Sequence, residues 1–167
     1  MKPLAIINAR LLDPASDYDG PGAVLIADGR IVEVVHGQAR HRPEEAEIID
    51  AQGLCLAPGL IDIRVTTGEP GAEPKETLKS AALSAAAGGV TTIVVQPDAE
   101  PAVDDPAMVD FIQRRGAALN LVNVRVAGAA TQGRDGKRMA EIGLMDEVGA
   151  LYFTDGDRVI ANTRTLM

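Results

Sequence analysis

Ala57-Pro58-Gly59-Leu60-Ile61-Asp62-Ile63-Arg64-Val65-Thr66 closes an apolar run that begins at Leu54. The run reads as a buried strand over residues 54–65. Alternate side chains of a strand share a face, so positions 62, 64 and 66 form one row at its C-terminal end. A run ending in Asp-x-His-x-His would place two imidazoles on that face, where both could grip one divalent cation. Here the two positions hold Arg64 and Thr66. A guanidinium stays protonated and has no lone pair to give, and a threonine hydroxyl is a poor ligand for a transition metal. The strand suits a metal site, and its side chains do not.

Downstream of this strand, Leu78, Ala81, Ala82 and Ala85 recur at helical spacing across residues 75–87, and Gly88-Gly89 stops the helix. Val90-Thr91-Thr92-Ile93-Val94-Val95 reads as a strand buried on both faces. The spacing then predicts a helix over 105–115, a strand over 119–126, a helix over 137–148, a strand over 150–153 and a helix from about Asn162. This is β/α four times over, the pattern of a parallel sheet or barrel. Upstream, short strands over 4–9, 23–27 and 30–35 precede a polar stretch and a further strand from Ile48. Asp28-Gly29 between two apolar runs is a hairpin signal. The expected organisation is α/β, with a small β domain over residues 1–55 and barrel-type β/α units over 56–167. A complete eight-unit barrel takes about 250 residues and only about 110 follow the β domain, so the sequence is read as the N-terminal portion of a longer polypeptide. The competing reading is an open four-strand α/β domain.

The apolar content of 46% is enough for a core. A net charge of −8 with no basic run disfavours nucleic acid and anionic membrane surfaces as partners. With two Tyr, two Phe and no Trp, an aromatic stacking platform is not expected. The single cysteine, Cys55, cannot form an internal disulfide and is expected in the core, consistent with a reducing compartment. The N-terminus lacks a signal-sequence pattern, so the expected location is cytoplasmic. His36 and His41 are expected at the surface. Gly133-Arg134-Asp135-Gly136 lacks phosphate-loop spacing and is read as a turn.

Ala57-Pro58-Gly59-Leu60-Ile61-Asp62, Glu69-Pro70-Gly71, Lys75-Glu76-Thr77, the segment from Ala85 to Thr92, and Gly128-Ala129-Ala130-Thr131 together resemble the dihydroorotases of the amidohydrolase superfamily. The match is collinear across nearly the whole chain. The resemblance implies a metal-dependent (β/α)8 barrel with a flanking β domain, and the reversible closure of carbamoyl-aspartate to dihydroorotate in pyrimidine biosynthesis. Carried over by position, the family's two strand-1 histidines fall on Arg64 and Thr66. Its substrate-carboxylate arginine falls on Gly68 and its substrate asparagine on Asp98. The acidic pair after strand 4 is reduced to Asp155, within Thr154-Asp155-Gly156. The family's later ligands and catalytic aspartate fall outside these 167 residues.

Without two nitrogen ligands, the family zinc is expected to be lost, and with it the activated water that the reaction needs. Asp98 adds negative charge, and Gly68 removes a positive one, where an anionic substrate would rest. Asp62 and Asp155 are the residual metal candidates, but hard carboxylates without imidazoles suit Mg or Ca at best. The expectation is that Arg64 stands in for the metal's charge and pairs with Asp155 or Asp62, so that losing Arg64 costs more stability than losing Thr66. Glu69-Pro70-Gly71 is expected to keep a loop shape rather than to catalyse. The reading is a non-catalytic, dihydroorotase-like structural protein with no catalytic residue and no cofactor. The resemblance implies aspartate transcarbamoylase as a partner, in a homo- or hetero-oligomer. The alternatives are an active metal-dependent cyclic amide hydrolase with a rebuilt site, and a ligand-binding sensor that keeps the pocket without chemistry.

Overall fold

The computed structural model describes residues 2–37 and 45–165, so His41 lies outside the described residues. The chain divides into two compact units, Met1–Pro58 and Gly59–Met167.

The first unit is a five-stranded sheet of β1 (Leu4–Asp13), β2 (Tyr18–Ala27), β3 (Arg30–His36), β4 (Glu47–Asp50) and β5 (Cys55–Leu56). Its order is β3-β2-β1-β4, with β5 also on β1. β1–β2 and β2–β3 are antiparallel, and β4 and β5 run parallel to β1. Ala5, Ile7, Ala9 and Leu11 are buried in strict alternation along β1, the period of a sheet with one face inward. Asp28 and Gly29 both take positive φ, 50° and 73°, as a two-residue hairpin twisted to match its strands requires. The β-rich expectation holds, with β1 and β2 longer than their apolar runs. Cys55 is exposed, not in the core. Its neighbour Leu56 packs against the cluster of Ala9, Leu11 and Val24, and strand alternation turns Cys55 to the other side.

The second unit is built on three parallel strands in the order β6-β7-β8, namely β6 (Leu60–Val65), β7 (Val90–Val95) and β8 (Asn123–Val126). Helices α1 (Leu78–Ala87) and α2 (Pro106–Leu119) make the crossovers, and α3 (Ile142–Glu147) follows β8. Residues 54–65 are neither one strand nor buried: they split into β5 and β6 in different units, and Leu60, Ile61 and Ile63 of β6, an edge strand of its sheet, are exposed. α1 starts three residues later than its periodicity suggests. Thr77 caps it, accepting from the Ser80 N–H while the Ser80 hydroxyl accepts from the Thr77 N–H. α2 runs through Gly116 to Leu119, so the following strand begins at Asn123 rather than at 119. Gly116 does not stop the helix. A Cβ there would lie 2.4 Å from the Val124 side chain, so this glycine lets α2 lie close on β8. Asn120, left-handed at φ 50°, ends the helix. The expected helix over 137–148 shrinks to α3, and the fourth strand is a single bridge, Gly128 to Phe153. A 3-10 turn, Thr163–Thr165, stands where a helix was expected from Asn162. The core lies between the sheet and its helices, around Leu78, Val95, Val109, Ile112, Val126 and Met145.

Candidate functional site

The site candidates gather at the C-terminal ends of β6 and β7 and in the segment after β8. The pairing of β6 with β7 shifts register between Asp62 and Val65, an irregularity that re-aims the strand end. Asp62 supports it from its own side chain, since Oδ1 accepts the Arg64 N–H at 2.9 Å. Arg64 lines a cavity of about 200 Å³ with Thr66, Gln96, Asp98, Arg134 and Asp157. The structure thus brings together Arg64, Thr66 and Asp98, three of the positions that the resemblance singles out. Asp62 and Gly68 do not line this cavity, and neither does Asp155, although its neighbour Gly156 does.

Thr66 and Asp98 are joined directly, with Thr66 Oγ1 donating to Asp98 Oδ2 at 3.1 Å. Asp98 Oδ1 is buried without a hydrogen-bond partner among the described residues. An oxygen removed from water and left unmatched is costly, so the Thr66 bond is the support this carboxylate has.

The expected pairing of Arg64 is not found. Its side chain is exposed and makes no ion pair among the described residues. Asp155, 3% exposed, is already satisfied. Its Oδ1 accepts the Thr131 N–H at 2.9 Å, and its Oδ2 accepts the Thr131 hydroxyl at 2.5 Å. Thr131 Oγ1 in turn accepts the Gly136 N–H at 2.9 Å. The arginine that meets this loop is Arg134, which donates from Nε and Nη2 to the Asp155 carbonyl at 3.1 and 2.9 Å and pairs with Asp157. Burial of a carboxylate is tolerated when its lone pairs are matched, and this closed network matches them. Arg134 reaches it from a left-handed backbone at φ 57°. The turn that the sequence predicts over 133–136 thus carries a buried arginine, and the hint of it in the sequence is the pair of glycines flanking Arg-Asp.

Gly68 is tightly packed on its own loop. Its N–H donates to the Glu76 carbonyl at 2.8 Å, its carbonyl accepts from the Ala72 N–H, and a Cβ would lie 2.0 Å from the Ala72 oxygen. No arginine could stand here in this loop conformation. Glu69 is 6% exposed and braces the helices, its Oε2 accepting the Leu78 N–H at 2.9 Å and its Oε1 accepting Arg115 Nε at 2.8 Å. A carboxylate on the first amide of α1 also opposes the helix dipole favourably. The Glu69 carboxylate raises the Arg115 pKa. Tyr152 and Gln96, which sequence reading passed over, meet at the same strand ends. The Tyr152 hydroxyl donates to the Ile63 carbonyl at 2.5 Å and accepts from Gln96 Nε2 at 2.7 Å. His36 is exposed, as expected, and stacks on Tyr18 at 3.9 Å between ring centroids.

The family model described as dihydro-orotase-like matches residues 53–167. The chain belongs to the dihydroorotase-like family. It is 36% identical over 163 residues to the dihydroorotase of Pelobacter propionicus, covering 98% of this chain and 38% of that protein. It is 38% identical over 164 residues to the dihydroorotase of Solibacter usitatus, covering 98% and 37%. The chain therefore spans somewhat over a third of the length of these curated relatives. Among solved structures it resembles the L-hydantoinase (dihydropyrimidinase) of Arthrobacter aurescens, with a TM-score of 0.79 and 22% identity over 99% of this chain and 37% of that one. It also resembles enamidase, a member of the amidohydrolase superfamily, with a TM-score of 0.62 and 20% identity over 91% and 42% of the two chains. These neighbours fix the fold as the small β unit and the first β/α units of an amidohydrolase barrel.

A zinc ion, which this family implies, finds no fitting donor set in these residues. Arg64 is a cation, the Thr66 hydroxyl donates a hydrogen bond to Asp98, Asp62 Oδ1 accepts the Arg64 N–H at the strand end, and both Asp155 oxygens accept from Thr131. Among the described residues no group of three or more His, Cys, Asp or Glu is placed to hold a metal. No described helix is long and apolar enough to cross a membrane.

Proposed function

We propose that this dihydroorotase-like polypeptide is non-catalytic and acts as a structural subunit. The observation that carries the reading is the strand end itself, where Arg64 and Thr66 replace nitrogen donors and Thr66 is committed to Asp98. The tight packing of Gly68 supports it, since the loop has no room for a substrate-binding arginine. Asp98 puts a negative charge where the resemblance places a carboxylate of carbamoyl-aspartate or dihydroorotate. The partner that family resemblance suggests is aspartate transcarbamoylase, in a cytoplasmic assembly of pyrimidine biosynthesis. The alternative, an active cyclic amide hydrolase with a rebuilt site, would have to draw on Asp62 and Asp155, and Asp155 is buried with both its oxygens bonded to Thr131.

The test is turnover of the full polypeptide with carbamoyl-aspartate and with dihydroorotate, alongside co-elution with aspartate transcarbamoylase from the same source on size exclusion. The reading expects no turnover above background and a shift of both proteins to a common larger species. Turnover would establish the alternative, and separate elution would remove the proposed partner.

A further inference from the structure

We propose that a hydrogen-bonded brace of Gln96, Tyr152 and the Ile63 carbonyl ties the strand ends together in the way a shared metal ion would, so that this barrel mouth is held without metal. The inference rests on the non-catalytic reading above and adds what takes the metal's mechanical place.

Ile63 lies inside the irregular part of β6, between Asp62 and Val65, where the regular pairing with β7 is interrupted. Its carbonyl accepts from the Tyr152 hydroxyl at 2.5 Å and from Gln96 Nε2 at 3.3 Å. Gln96 Nε2 also donates to the Tyr152 oxygen at 2.7 Å, so three polar atoms close a ring. Each atom belongs to a different part of the unit. Ile63 is on β6, and Gln96 directly follows β7. Tyr152 is fastened beyond β8, where its carbonyl accepts the Gly128 N–H at 2.9 Å. The Gln96 backbone returns to the same place, its N–H donating to the Val65 carbonyl at 2.9 Å. Thr66 and Asp98 add a parallel link between the residue after β6 and the loop after β7.

Two features distinguish this ring from incidental contacts. Gln96 is 5% exposed, so its amide is withdrawn from water and committed to these partners. The tie is made by an amide, a phenol and a backbone carbonyl, so it needs no counter-ion and no metal. A metal ion ties strand ends by sharing ligands among them, and a ring of neutral hydrogen bonds can hold the same ends without binding any solute.

Amide hydrogen exchange on the full polypeptide tests the brace, because a local tie and global stability give different patterns. Tyr152→Phe removes the hydroxyl and keeps the ring, and Gln96→Met removes the amide and keeps the chain length. We expect either change to raise exchange of amides in 63–66 and 96–98 by about tenfold, the loss of roughly one such bond, while amides in α2 stay unchanged. The double variant should exceed the larger single by little. Excess EDTA, or added zinc, should leave the wild-type pattern at 63–66 unaltered. Unchanged exchange in both single variants, or an equal rise in α2, would overturn the brace while leaving the non-catalytic reading intact. Loosening of 63–66 by EDTA alone would show that a metal makes the tie, and would overturn both.

Discussion

Replacing Thr66 by Val should destabilise the protein more than replacing Arg64 by Ala, although arginine is the larger and charged residue. Valine keeps the β-branched shape that suits the end of a strand and removes only the hydroxyl. That hydroxyl is the one hydrogen-bond donor to the Asp98 carboxylate among the described residues, and the other oxygen is already buried unmatched. Thr66 is exposed and its bond is open to water, so losing that bond costs about 0.5–1.5 kcal/mol, the net contribution of an ordinary hydrogen bond. The exposed Arg64 side chain makes no ion pair among the described residues, and surface changes of that kind stay within about 0.5 kcal/mol. For a urea transition with a slope of about 2 kcal/mol per molar, Thr66→Val should lower the midpoint by about 0.25–0.75 M and Arg64→Ala by no more than about 0.25 M. Adding Asp98→Ala to Thr66→Val should recover most of the loss, because removing both partners leaves nothing unmatched. Equal midpoints, or a larger loss for Arg64→Ala, would refute the reasoning.

Gly68→Ala should lower the melting temperature, since its Cβ would stand 2.0 Å from the Ala72 oxygen; overpacking of this kind costs about 1–3 kcal/mol, and an unchanged melting curve would show that the loop yields freely. Glu69→Ala should cost a similar amount by leaving the Leu78 N–H and Arg115 without their acceptor, and Glu69→Gln should cost less, as compared by urea midpoints. The Arg10 hydrogen bond and charge lower the Asp19 pKa. A depressed carboxyl pKa gives stability that is present above the unfolded value, near 4, and lost as pH falls through the folded value. Asp19→Asn should therefore be less stable than wild type at pH 7 and equal to it once the pH lies below the folded value, and a gap that persists in acid would contradict that assignment.

Where local chemistry decides structure, the sequence is readable. Asp28-Gly29 supplies the positive φ of a hairpin, and the β-branched run of β7 forms a strand, buried on both faces over Ile93–Val95 but exposed at Thr91. The first β/α units follow from such runs and the glycines between them. Boundaries are less legible where a cap or a packing contact overrides periodicity. Thr77 with Ser80 delays α1, and Gly116 is kept for contact with Val124 rather than for ending a helix. At the site, residue types reveal what is missing, because arginine and threonine cannot do an imidazole's work. They do not reveal which groups meet. Arg134 reaches the Asp155 carbonyl only because its backbone turns left-handed, and Tyr152 lies 89 positions from the carbonyl it holds. Neither distance in sequence nor charge pairing by type anticipates those contacts: of the two carboxylates expected for Arg64, Asp155 is held by Thr131, and among the described residues Asp62 accepts only the Arg64 backbone N–H.

The most direct measurement is the metal content of the full polypeptide, purified without chelator and then dialysed against zinc, read by elemental analysis beside an active dihydroorotase carried through the same steps. A mouth built on Arg64 and Thr66 should retain far less than one zinc per chain, while the active enzyme retains its full complement. One zinc per chain, lost on mutation of Asp62 or Asp155, would contradict the loss of the metal site.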